Sequence, residues 1–202
     1  MSEPPRDGAW VTIQTPLEPG ELARLCHDVE ALYRLNSQLE IEAWEQVGPN
    51  TCRLRGLNLS NGRRLDTTLS VEPHEDGATV VYASGLKSAT HFRVTSEKEG
   101  AVLTVTDEYG RGPEAERLAR VAEVDRSLPR WGSDLHRFFA AWRRWSWCPP
   151  WRWLMHRYWL QMKPSARRIA TMLIWLTLAE FVAFLMVVTI FWLEFDRVLD
   201  ML

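Results

Sequence analysis

The spacing of hydrophobic positions changes along the chain, and each change predicts a change of element. Trp10 to Thr15 alternates, with Val11 and Ile13 on one side, which predicts a first strand. Pro16 and Pro19-Gly20 break it. Leu22, Leu25, Val29, Leu32 and Leu35 then recur at helical spacing, as one helix or two short ones, ended by Asn36-Ser37. From Leu39 the period is two. Leu39, Ile41 and Ala43 oppose Glu40, Glu42 and Trp44 as far as the turn Gly48-Pro49-Asn50. Cys52 and Leu54 follow, then Leu65, Thr67, Leu69 and Val71 after Asn61-Gly62. Thr79–Ala83 follows Glu75-Asp76-Gly77, His91–Thr95 follows a connection around Gly85, and Ala101, Leu103 and Val105 follow Glu99-Gly100. Short alternating runs separated by turn residues predict a six-strand antiparallel meander after the helices. One face of that meander is apolar and needs a cover.

The cover is predicted in the next helix. Ser127 and Pro129 suit a helix start, and Trp131, Leu135, Phe138, Trp142 and Trp145 recur at spacings of four and three. Residues 114–126 are also compatible with a helix. Beyond it lies WSWCPPWRWLMHRYWLQMKP, part of a stretch that holds seven of the eleven tryptophans between Trp131 and Trp159. Tryptophan and tyrosine favour the headgroup layer, and basic side chains there gain from anionic lipid. An interfacial amphipathic segment is therefore expected over 148–168, with Trp147, Trp151, Trp153, Arg157, Trp159, Lys163, Arg167 and Arg168 at the membrane surface. The period then vanishes. Ile169–Leu193 is apolar on all sides with one formal charge, Glu180, and is long enough to cross roughly 30 Å of hydrocarbon.

Charge gives this plan a direction. The mean hydropathy of -0.23 and net charge of -2 conceal three zones. Residues 1–142 hold 16 Lys/Arg against 22 Asp/Glu, residues 143–168 hold 7 basic residues and no acid, and residues 169–202 hold 1 basic against 4 acidic. The excess of Lys/Arg before the span predicts that the acidic body is cytoplasmic, at a cytoplasmic (inner) membrane, with a short tail 194–202 on the far side. The start, MSEPPRDG, reads as a mobile leader (residues 1–9) without the pattern of a secretory signal. Three dispersed cysteines, Cys26, Cys52 and Cys148, suggest neither a disulfide framework nor a zinc knuckle. The acidic body argues against a nucleic-acid partner. The histidines are scattered, with His27-Asp28 read as a surface pair, and no nucleophile elbow, P-loop or dinucleotide glycine pattern occurs. No catalytic or metal-binding residue and no cofactor is expected.

A strand, one or two helices, six antiparallel strands and a long helix make the α+β helix-grip arrangement. Over residues 10–147 the chain resembles the SRPBCC superfamily of START-like and polyketide-cyclase-like domains. The opening TIQTPLEPGELARLCHDVEALYRLNS is similar to that superfamily's usual start, although its first helix lacks the tryptophan often found there. The resemblance implies a deep apolar cavity between a curved sheet and the last helix, as used for sterols, lipids, quinones or polyketides. It also implies loose kinship with the G-type carbon monoxide dehydrogenase proteins, which join such a domain to a membrane-binding tail, and with coenzyme Q-binding START proteins. Apolar candidates for the cavity wall are Leu54, Leu69, Tyr82, Phe92, Leu103, Leu135, Phe139 and Trp142.

Three functions remain open from these observations. The first is a membrane-anchored binding module that holds a quinone or lipid, with membrane lipids as partners. Each CH₂ exposed to water costs about 0.8 kcal/mol, so a long chain benefits from a covered route out of the bilayer. The second is an accessory or assembly component of a membrane complex, docked by its membrane helix onto an integral-membrane protein or onto another copy of itself. Glu180 near mid-span costs about 2.5–3.5 kcal/mol on insertion scales, and such residues usually face a partner. Thr177, Ala183 and Phe184 share its face. The third is a cyclase- or dehydratase-type enzyme, which requires a polar cluster inside the cavity.

Overall fold

A computed structural model describes residues 8–98, 100–110 and 126–199. They belong to two compact units, one ending at Gln161 and the other starting at Met162.

The first unit is built on a seven-stranded antiparallel sheet of order β1-β7-β6-β5-β4-β3-β2. Its strands are β1 (Gly8–Thr15), β2 (Leu39–Gly48), β3 (Thr51–Asn58), β4 (Arg63–His74), β5 (Gly77–Tyr82), β6 (Ala89–Glu97) and β7 (Gly100–Glu108). Strands β2 to β7 form the expected meander, and β1 closes onto β7 with Ile13 opposite Leu103. Between β1 and β2 the helical stretch divides into α1 (Pro19–Cys26) and α2 (Val29–Leu35). The division falls at His27-Asp28. Asp28 caps α2 by accepting from the Ala31 backbone N–H at 3.1 Å, and His27 Nε2 bonds the His74 carbonyl at 2.9 Å.

The helix α3 (Leu128–Trp145) crosses the inner face of the sheet and buries Leu128, Trp131, Leu135, Phe138, Phe139 and Trp142. It comes close to β1 because Gly132 faces Val11, where a Cβ would lie 2.8 Å from a Val11 methyl. Polar clamps hold it: His136 Nδ1 to the Gln14 carbonyl at 3.0 Å, and Trp142 Nε1 donating to Glu21 Oε1 at 3.0 Å. Ser127 precedes the helix but does not cap it. Its hydroxyl instead accepts from Asn36 Nδ2 at 3.0 Å, tying the start of α3 to the end of α2. The stretch 114–126 that the sequence leaves as helix-compatible lies almost wholly outside the described residues.

Strand β2 departs from the sequence reading. A register shift between Ile41 and Ala43 sets Ala43 opposite Arg55 and Trp44 opposite Leu54. Residues paired across an antiparallel ladder share a face, so the bulge sends Ala43 outward and turns Trp44 in, 5.8 Å from the Tyr33 ring. Gly56 allows this crossing. A Cβ there would lie 2.4 Å from the Glu40 carbonyl oxygen.

After α3 come α4 (Pro149–Leu154) and a π-helical turn at Met155–Trp159. This segment has two faces. Trp151 and Met155 pack against the core, Trp151 lies 5.9 Å from the Trp142 ring, and Leu160 is buried. Trp147, Trp153, Leu154 and Tyr158 are exposed, together with Arg152 and Arg157. Of the predicted interface residues, Trp151, Trp159 and Arg167 are half-buried and the others are exposed.

The second unit is the helix α5 (Pro164–Leu199). Proline at its first position starts it five residues earlier than the apolar run, which puts Arg167 and Arg168 in its opening turns. Its stretch Pro164–Trp192 is long and apolar enough to cross a membrane, and its most apolar window is wholly unburied.

Candidate functional site

Most of the interior between sheet and helix is filled. Leu54, Leu69, Phe92, Leu103, Leu135 and Phe139 are fully buried and Trp142 nearly so. They pack as core: Phe92 meets Trp131 edge-on at 5.6 Å, and Phe138 touches both Phe139 and Trp142. These seven do not line the cavity between α2, β4 and the β5–β6 loop. Of the eight candidate wall residues, only Tyr82 does.

That cavity, of about 290 Å³, lies at one end of the grip. Its walls come from α2 (Tyr33), the starts of β2 and β4, the end of β3, the β5–β6 loop, Tyr109 beyond β7, and the first turns of α3 (Trp131). Leu39, Leu65 and Leu86 supply aliphatic surface, and the rings of Tyr33, Tyr82, Tyr109 and Trp131 supply flat surface. The loop is fixed to β4 where the Ser84 hydroxyl and backbone N–H both reach Thr67 Oγ1, at 3.1 and 3.2 Å. Trp131 is pinned by donating its indole N–H to the Leu32 carbonyl at 2.9 Å. The size is at the lower edge of the roughly 300–1,000 Å³ typical of small-molecule pockets. It suits a ring or a compact headgroup. An attached isoprenoid or acyl tail would have to continue outside.

Behind the walls runs a polar network that the sequence reading did not identify. Asp107, fully buried, receives a hydrogen bond from Lys87 Nζ at 2.7 Å and another from Thr90 Oγ1 at 2.6 Å. Thr90 Oγ1 lies 3.2 Å from Tyr82 Oη, which is hydrogen-bonded to Tyr33 Oη. The Lys87 ammonium also sits over the Tyr82 and Tyr109 rings, 5.7 and 6.0 Å from their centroids. Burial is the main cause that pushes the Tyr33 phenol well above its ordinary pKa, and the neighbouring Tyr82 adds to it, so Tyr33 stays a neutral O–H. At the rim, the bidentate Arg53 guanidinium, 2.9 Å away on both arms, holds the Asp66 carboxyl below the usual range.

A signal for this network was present in the strand alternation. Carrying the inward series Ala101, Leu103, Val105 one step further reaches Asp107, and the inward series of β6 is Thr90, Phe92, Val94. A carboxylate at an inward strand position is a buried charge in need of a partner. Among the described residues, no group of three or more His, Cys, Asp or Glu side chains comes together as a metal site.

The membrane-helix candidates Thr177, Glu180, Ala183 and Phe184 all lie on α5 and are exposed. The hydroxyls of Thr171 and Thr189, elsewhere on α5, bond back to the carbonyls four residues earlier, at 2.8 and 2.7 Å. Among the described residues nothing hydrogen-bonds the Glu180 carboxyl.

No family model matches the chain, and neither does any curated protein. Solved structures share its architecture at low identity. A START superfamily protein from Mycobacterium smegmatis is 14% identical, with a TM-score of 0.48 over 65% of this chain and 96% of its own. A protein from Rhodobacter sphaeroides is 13% identical, with a TM-score of 0.48 over 69% of this chain and 96% of its own. The di-domain ARO/CYC StfQ from the steffimycin biosynthetic pathway is 13% identical, with a TM-score of 0.47 over 68% of this chain and 52% of its own. The strand order, the paired helices after β1 and the long helix laid across the inner face define the fold directly: an α+β helix-grip domain, the fold of START-like proteins, in a chain that also carries a long apolar C-terminal helix.

Proposed function

We propose that this protein is a membrane-anchored binding module for a small hydrophobic ligand of the quinone or lipid class, held by its ring or headgroup in the cavity between α2, β4 and the β5–β6 loop. The observation that carries this reading is the cavity itself: about 290 Å³, walled by four aromatic rings and backed by buried hydroxyls. The membrane part of the reading is supported by the unburied apolar helix α5 and by the exposed Trp147, Trp153, Leu154 and Tyr158 beside Arg152 and Arg157. Seven basic residues and no acid between 143 and 168 favour a body on the cytoplasmic side. The test is native mass spectrometry with organic extraction on the full chain purified from membranes, next to Leu65→Trp, which fills the cavity. A small hydrophobic molecule is expected with the wild type and not with Leu65→Trp. A folded wild type that carries nothing contradicts the reading.

A second reading, an accessory component of a membrane complex docked through its apolar helix, is favoured by two observations: the largely filled interior and the exposed Glu180 on α5, whose carboxyl has no hydrogen-bond partner among the described residues. Glu180 with Thr177, Ala183 and Phe184 would contact an integral-membrane partner or a second copy. Detergent pull-downs that recover the same partners with Glu180→Leu as with wild type would sink the docking role.

A further inference from the structure

A carboxylate that only accepts hydrogen bonds sets the direction of every hydroxyl behind it. Thr90 has one O–H hydrogen, and it goes to Asp107 Oδ1 at 2.6 Å. The Thr90 oxygen can therefore only accept from Tyr82, 3.2 Å away, so Tyr82 is the donor in that pair. With the single Tyr82 hydrogen engaged there, the bond between Tyr82 and Tyr33 must be donated by Tyr33. Lys87 Nζ donates to the other Asp107 oxygen at 2.7 Å, so every hydrogen of the network points toward Asp107. It ends at Tyr33, which lines the cavity with its hydrogen turned toward Tyr82. What remains on the Tyr33 oxygen is lone pairs.

We propose that the cavity selects a flat ring carrying a hydrogen-bond-donating hydroxyl, a phenol or quinol, over a ring of the same shape carrying a carbonyl or ether oxygen, with Tyr33 Oη as the acceptor. This rests on the hydrophobic-ligand reading and adds to it the polarity of the ligand's oxygen. The ring preference follows from the Tyr33, Tyr82, Tyr109 and Trp131 walls. Two of the basic side chains at the cavity already face acids, Lys87 on Asp107 at 2.7 Å and Arg64 on Glu42 at 3.6 Å.

The probes are 2-naphthol and 2-methoxynaphthalene, which share a ring system but differ in having or lacking a donor. Equilibrium dialysis at pH 7 of the full chain in phosphatidylcholine nanodiscs, with empty nanodiscs subtracted, gives each affinity. A neutral hydrogen bond made by one probe alone predicts that 2-naphthol binds about fivefold to tenfold tighter. In Tyr33→Phe the ratio falls to about one through loss of naphthol affinity. In Tyr82→Phe the Tyr33 hydrogen is released toward the cavity, so the ratio also falls and 1,4-naphthoquinone binds more tightly than to wild type. Equal wild-type affinities for the two probes overturn the polarity argument while the hydrophobic-ligand reading stands. Binding of neither probe above the empty disc overturns both.

Discussion

The Lys87–Asp107 pair can be tested by removing one charge at a time. Asp107 is fully buried and is held by two side chains, Lys87 on Oδ2 and Thr90 on Oδ1. Lys87→Met keeps the length of the stem and removes the ammonium, leaving a buried carboxylate with one hydroxyl partner. Breaking a buried ion pair this way costs about 3–5 kcal/mol. The lower end applies here, because the Thr90 bond persists and the Lys87 side chain retains 14% of its exposure, enough for water to reach part of the site. We expect a loss of about 3 kcal/mol. The double variant Lys87→Met/Asp107→Leu has no buried charge left and should regain most of that loss. Urea unfolding of the full chain in detergent, followed by tryptophan fluorescence, reads both, since Trp131 is packed in the core beside Tyr33 and Phe92. A single variant within about 0.5 kcal/mol of wild type, or a double variant no better than the single, would refute the assignment of this pair as the buried anchor of the network.

Two further outcomes follow from local geometry. Gly56→Ala sets a methyl group 2.4 Å from the Glu40 carbonyl oxygen, a backbone atom in a paired strand that cannot rotate away. The expected cost is about 2–3 kcal/mol, seen as a lower urea midpoint, and an unchanged midpoint would contradict the tight β2–β3 crossing. Burial pushes the Cys26 thiol up to about 12, and burial followed by the nearby Glu30 charge pushes Cys52 up to about 11. Thiolate is the reactive form, so at pH 8 a maleimide should add one label, at the partly exposed Cys148, and reach the other two only after unfolding. Because the folded pKa values lie above the ordinary 9.0, the stability associated with keeping these thiols protonated is intact below about pH 9 and declines as pH rises toward 11–12. Native labelling of Cys26 at pH 8 would contradict its burial.

The sheet was legible because β3, β4, β6 and β7 alternate, while β5, buried at nearly every position, is marked by the Glu75-Asp76-Gly77 turn before it. The hydrophobic stripe of α3 was legible for the same physical reason, a period imposed by one buried face. Trp44 was read on the wrong face because a bulge reverses the phase of a strand; the one trace it leaves is Glu45, which unbroken alternation from Leu39 would put on the apolar face and which the shifted register pairs with exposed Arg53. The candidate wall residues differ from the lining of this cavity for another reason. Periodicity identifies inward positions but does not say which of them meet another side chain and which meet empty space. Leu54, Leu69 and Phe92 face Leu135, Phe139 and their neighbours in a closed core, whereas the space opens at the end where Asn36, Asn58 and the loop residues Ser84 to Lys87 converge. Polar residues there gave no periodic signal. Asp107 alone did, as a charge in an inward register.

Under the proposed function a hydrophobic ligand sits in the cavity at the end of the grip rather than only against the apolar helix α5. Photocrosslinking tests it directly, using a short-chain azidoquinone on the full chain in nanodiscs and peptide mapping of the adduct. Adducts are expected on Arg63–Thr67 and Tyr82–Lys87, two of the stretches that wall the cavity, and should be lost in Leu65→Trp. Adducts confined to α5 and to Trp147–Trp159, unaffected by Leu65→Trp, would contradict it.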